Sequence, residues 1–186
     1  MNIKKPSIVE RSLHTLLLLF IVLLSGCSAG SSSETVKVSK EKSYVSVYDY
    51  FEEITGENLK TSVLQITKNS NTAELTLRIS ISDDLKEKMM HTEKPFYFSF
   101  ADMPGNETIK NLLAETPSHV QIELNSKENR YTISQQLKLK ENLTEADTQA
   151  LLSPANYRFQ VINEEKLSVA SFMGLEYSLL PEDNQK

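Results

Sequence analysis

The sequence predicts a mainly β domain, a two-sheet antiparallel sandwich with short helical insertions; an α+β fold with an antiparallel sheet is the alternative it leaves open. Three observations carry that expectation. In "AELTLRISIS" (73–82), Ala73, Leu75, Leu77, Ile79 and Ile81 alternate with Glu74, Thr76, Arg78, Ser80 and Ser82. That is the period of a strand with one buried and one wet face, which favours antiparallel pairing. Six further segments show short apolar runs or alternation bounded by turn-forming residues. The stretch 43–181 is long enough for one domain with a sizeable core.

Taken in chain order, Ser46 and Asp49 form a capping-box pair ahead of "VYDYFEEI", which places Val47, Tyr50, Phe51 and Ile54 on one helical face, with Gly56 as terminator. A first strand over 44–51 is the competing reading. Segment 63–67 then faces 73–82 across Lys68-Asn69-Ser70-Asn71, a hairpin. "FYFSF" turns Phe96, Phe98 and Phe100 inward. Val120, Ile122 and Leu124 are expected to pair with Tyr131, Ile133, Leu137 and Leu139 in a second hairpin, turning at 125–129. The last pair joins Tyr157, Phe159 and Val161 to Leu167 and Val169 across 163–166. Helical turns are expected over 84–90, 107–114 and 145–152, the last capped by Thr144.

One local motif sharpens the fold. "LLSPANYRFQV" (151–161) resembles the tyrosine-corner segment of immunoglobulin-like and fibronectin type III domains, with Leu152, Pro154 and Tyr157 at the matching positions. Its Pro-to-Tyr gap is one residue shorter than the usual fibronectin pattern, and the core Trp and cysteine pair of antibody domains are absent. The resemblance implies an immunoglobulin-like sandwich.

Before the domain comes an address. Residues 16–24 are an uninterrupted apolar run of nine, reaching about 14 Å as a helix, roughly half of a ~30 Å hydrocarbon core. Lys4, Lys5 and Arg11 precede it, opposed only by Glu10. A positive start, a short apolar middle and small residues at the end make a secretory signal. The end, Leu24-Ser25-Gly26-Cys27, resembles the lipobox of bacterial lipoproteins. That resemblance implies a signal peptide over 1–26 recognised through Leu24, Ser25 and Gly26. It further implies a diacylglyceryl group on Cys27, which becomes the mature N-terminus, and anchorage in the bilayer at the extracytoplasmic face of the cell membrane. Residues 27–42 are sixteen in number and serine-rich, and read as a flexible linker; 182–186 read as a polar tail.

Cys27 is the only cysteine of the chain, so once acylated it leaves no thiol for a disulfide, a metal or a nucleophile. Removing 1–26 takes away three basic residues and one acidic one, which shifts the formal net charge from −5 to −7. An acidic chain without a basic run is poorly suited to nucleic acid, where phosphate contacts dominate affinity. No metal or cofactor is expected. His91 and His119 lie far apart in sequence, and Asp83-Asp84 has no calcium-loop pattern around it and suits a helix start. Ser118 and His119 are adjacent, and neighbours on a strand point to opposite faces, which disfavours a nucleophile–base pair. Tyr44, Tyr48 and Tyr50 are the candidate binding face, with packing against the sandwich as the alternative role.

These readings favour a lipid-anchored, non-enzymatic interaction or accessory domain with a protein partner at the membrane surface. A small-ligand or solute-binding lipoprotein is second, and a buried apolar cavity would speak for it. A cell-envelope enzyme with a carboxylate-based site is third.

Overall fold

A computed structural model describes residues 43–180. The expected signal peptide, Leu24, Ser25, Gly26, the acylation site Cys27, the linker and the tail all lie outside the described residues. Among the described residues, seven strands form two antiparallel sheets: β1 (Leu59–Thr61), β2 (Gln65–Asn69), β3 (Thr72–Ile81), β4 (Tyr97–Asp102), β5 (Arg130–Lys138), β6 (Tyr157–Ile162) and β7 (Ser168–Phe172). Three short α-helices, α1 (Asp83–Met90), α2 (Thr108–Leu112) and α3 (Glu145–Leu152), occupy connections, and a 3-10 helix, Val47–Glu53, precedes β1.

The alternating strand 73–82 becomes β3, the centre of the first sheet. It pairs with β5 from Thr72↔Lys138 to Ser80↔Arg130. On its other side β2 and β1 follow one another, β2 against its first half and β1 against its end. The β2–β3 hairpin forms as expected, with Asn69 opposite Thr72 and Ser70 at a positive φ of 47°. In the second sheet β6 lies between β4 and β7. The chain thus leaves the first sheet after β3, returns for β5 and leaves again for β6. Counting β1 and β2 as one interrupted edge strand, this is the immunoglobulin-type distribution of strands between two sheets, without the fourth strand.

Alternation decides the core. Leu75, Leu77, Ile79 and Ile81 of β3 meet Ile133 and Leu137 of β5, and Phe98, Phe159 and Val161 of the second sheet, all at most 2 % exposed. Each such side chain contributes about 1.5–3 kcal/mol through burial. Phe98 stacks on Phe159 with centroids 5.4 Å apart, while Phe96 is only partly buried.

The expected strand over 120–124 does not form. Val120 makes a single antiparallel bridge to Phe98, while Ile122 and Leu124 pack against the core without strand pairing. Its expected partner β5 pairs with β3 over nine consecutive pairs, and Val120 lies against β4 instead. The edge of β4 beyond Val120 is closed by a side chain instead. Gln135, inward-facing on β5 and 2 % exposed, accepts from the Phe100 N–H at 3.0 Å and donates to the Ser118 carbonyl at 2.6 Å and to Ser99 Oγ at 3.2 Å. A buried amide therefore satisfies groups that a neighbouring strand would otherwise pair.

Tyr157 opens β6, is 1 % exposed, and donates its hydroxyl to the Leu151 carbonyl at 2.8 Å. The leucine that anchors the corner is Leu151, fully buried, whereas Leu152 is 42 % exposed; α3 turns the earlier residue inward. Thr144 caps α3 through a complete capping box with Asp147.

Candidate functional site

The three candidate tyrosines do not share one exposed face. Ser46 and Asp49 form the expected capping box: Asp49 accepts from the Ser46 N–H at 3.0 Å, and Ser46 Oγ accepts from Tyr48 N–H at 3.3 Å. The segment they start is not one regular helix, however: its 3-10 turns meet at a kink at Tyr50, whose φ of −137° and ψ of 27° are not helical. Val47 and Tyr50 lie inward, and Tyr48 and Phe51 outward. Tyr50 is 3 % exposed, its ring packs edge-on against the Tyr44 ring at 5.1 Å, and its hydroxyl lies 2.7 Å from Thr92 Oγ1. Burial pushes its phenol up to about 12. Tyr48 and Phe51 stack at 5.0 Å with their planes 16° apart, 59 % and 40 % exposed, beside exposed Val45. Phe51, expected inward from a 3.6-residue period, belongs to the outer face. The surface is a two-ring platform, with Tyr44 and Tyr50 as its support.

The platform is fixed from behind. Ser46 Oγ donates to Glu164 at 2.7 Å, and Lys94 pairs with the same carboxylate at 3.3 Å, which joins the entry of the domain to the β6–β7 turn. The hydrogen bond from Ser46 leads the causes that hold the Glu164 carboxyl below the usual range.

A second feature is a half-enclosed cavity of about 180 Å³ between the sheets, beside the tyrosine corner. Leu75 and Leu137 from one sheet and Phe100 and Tyr157 from the other line it, and Ile109 and Leu113, in and just after α2, cover it. Asp102 and Lys110 stand among its lining residues as the charged ones. Asp102 holds α2 in place: its two oxygens accept from the Ile109 N–H at 2.7 Å and the Lys110 N–H at 2.9 Å. Burial first, and the charge of Asp102 second, push the Tyr157 phenol up. No sequence period marks this cavity, because its lining comes from four strands, a five-residue helix and the stretch that follows it.

Most of the remaining polar candidates hold neighbouring backbone or side chains in place. Ser82 Oγ caps α1, and Asp83 accepts from Asn129 Nδ2 at 2.8 Å, the hydrogen bond that leads the lowering of its carboxyl. Lys86 is 5 % exposed; its ammonium donates to the Ser126 and Glu128 carbonyls, each at 3.2 Å, and to Asn129 Oδ1. Those three bonds engage all three ammonium hydrogens, so Lys86 pins the 125–129 turn to α1. His91 Nδ1 lies 2.8 Å from the Glu87 carbonyl at the end of α1. The His119 ring sits 6.3 Å from that of Tyr97, while the Ser118 carbonyl is held by Gln135. Burial, then the nearby Lys166 charge, holds the His119 imidazole below the usual range. Among the described residues no three His, Cys, Asp or Glu side chains gather as metal ligands, and no helix is long and apolar enough to cross a membrane.

Comparison with known protein families, with curated proteins and with solved structures finds no match to this chain.

Proposed function

We propose that this chain is a lipid-anchored extracytoplasmic domain of a bacterial cell envelope, acting without catalysis on a protein partner at the membrane surface. The observation that carries the reading is the lipobox-like Leu24-Ser25-Gly26-Cys27 at the end of a short apolar run behind a positive segment. Two acyl chains on Cys27 would hold the domain stably, where one holds only marginally. The Tyr48–Phe51 platform supplies an exposed aromatic surface of the kind that anchors protein contacts. Feeding cells an alkyne-tagged fatty acid tests the anchor: the wild-type chain acquires label and partitions with membranes, and Cys27→Ser acquires none. Label on Cys27→Ser, or none on the wild type, would sink the reading.

A second reading, a small-ligand-binding lipoprotein, is favoured by the apolar cavity under α2.

A further inference from the structure

We infer that the cavity between the sheets is a binding site for a compact, uncharged aromatic molecule that carries one hydrogen-bond donor on its ring, such as a phenol or an indole. The inference deepens the small-ligand reading and rests on it. Size is the first constraint. A cavity of about 150 Å³ lined by leucine, isoleucine and phenylalanine accepts benzene. At about 180 Å³, this one holds a single ring with a small substituent and excludes a long acyl chain. Shape and chemistry are the second. Leu75, Leu137, Phe100 and Ile109 offer apolar walls, each at most 7 % exposed, and the Tyr157 hydroxyl is engaged by the Leu151 carbonyl. Tyr157 therefore contributes a ring face, its hydroxyl proton being committed to Leu151.

The rim sets the third constraint. Asp102 accepts two backbone N–H bonds from α2, and an ionised carboxylate has about four lone-pair sites, so acceptor capacity remains for a ring O–H or N–H. Lys110, the cation of the lining, is paired with Glu107 at 2.8 Å. Glu107, outside the lining, engages the Lys110 ammonium, which leaves Asp102 as the lining charge that disfavours a carboxylate of the same size. A ring donor is thus selected by Asp102, and an anionic ring is rejected by the same charge.

Titration of the methyl-labelled full chain with phenol, toluene and benzoate, followed by NMR, tests this. Phenol should produce saturable shifts at the methyls of Leu75, Ile109, Leu113 and Leu137. Its affinity should exceed that of toluene by about threefold or more, and that of benzoate by about tenfold, corresponding to about 1.4 kcal/mol for the latter. Leu113→Phe, which places an extra ring against the cavity from a partly exposed position, should abolish the shifts and leave the rest of the spectrum intact. If toluene or benzoate binds as tightly as phenol, the donor-bearing class is overturned while small-ligand binding stands. If no ring saturates any of these methyls, both the inference and the small-ligand reading fall.

Discussion

Gln135 shows how much one residue can decide. Its amide serves the Phe100 N–H and the Ser118 carbonyl in a buried position, so an apolar replacement leaves both without a partner. A buried group stripped of its hydrogen bond costs about 1–3 kcal/mol. Gln135→Leu should therefore lower the unfolding free energy by about 2 kcal/mol or more, measured by denaturant titration, while Gln136→Leu on the wet face should stay within about 0.5 kcal/mol. Equal effects of the two would remove the edge-plugging role. The position was legible in the sequence, because Gln135 falls in phase between inward Ile133 and Leu137; the target of its amide was not, since that lies on another sheet. Tyr50 gives a pH signature. Its phenol titrates near 10 when unfolded and at about 12 when folded, because burial disfavours the phenolate. The unfolded chain loses its proton first as pH rises, so this contribution to stability is complete below about 10 and declines up to about 12. Tyr157 shifts the same way, also through burial. Denaturation midpoints from pH 9 to 12 should fall less steeply for Tyr50→Phe than for wild type, and parallel curves would refute the assignment.

At the scale of elements, long periodic segments were readable and short ones were not. The ten residues of β3 carry their alternation unmistakably, and α3 begins at its Thr144 cap as expected. β1 is three residues long, too short to show a period, and it exists because the end of β3 needs a partner beyond β2. Segment 120–124 has the alternation of a strand, yet its one bridge joins Val120 to Phe98 of β4 and not to β5. The helical segment at 47–53 was legible from its capping box, while its kink at Tyr50 was not, and Phe51 beyond that kink lies at the surface instead of in the core. The aromatic platform makes a prediction. Tyr48 and Phe51 protrude, so Tyr48→Ser combined with Phe51→Ser should change the melting temperature little. The same double variant should lose crosslinking to the proposed membrane partner on intact cells. Tyr50→Phe, behind the platform, should keep the crosslink. Unaltered crosslinking by the double variant would mean that the partner docks elsewhere.

For the whole molecule the decisive question is whether the proposed anchorage supplies function or only an address, and experiment can separate the two. Sixteen residues, 27–42, precede the domain, and any flexible coil of that length spans roughly 20–24 Å on average. Within such a volume a membrane partner meets the domain at an effective concentration of about millimolar. Fusing residues 28–186 to an ordinary secretory signal should release the same domain without acyl chains, with its circular dichroism spectrum and melting temperature equal to those of the anchored form. If the partner sits in the same membrane, the crosslink should vanish at native expression and return only when the released domain is supplied at a concentration approaching the effective one. Lengthening the linker with Gly-Ser repeats in the anchored protein should weaken the crosslink gradually, as roughly the −3/2 power of length. A released domain that works fully at native levels would instead assign the function to a freely diffusing ligand. The cavity beside Tyr157 would then be the site to follow, and the two-ring platform would lose its role.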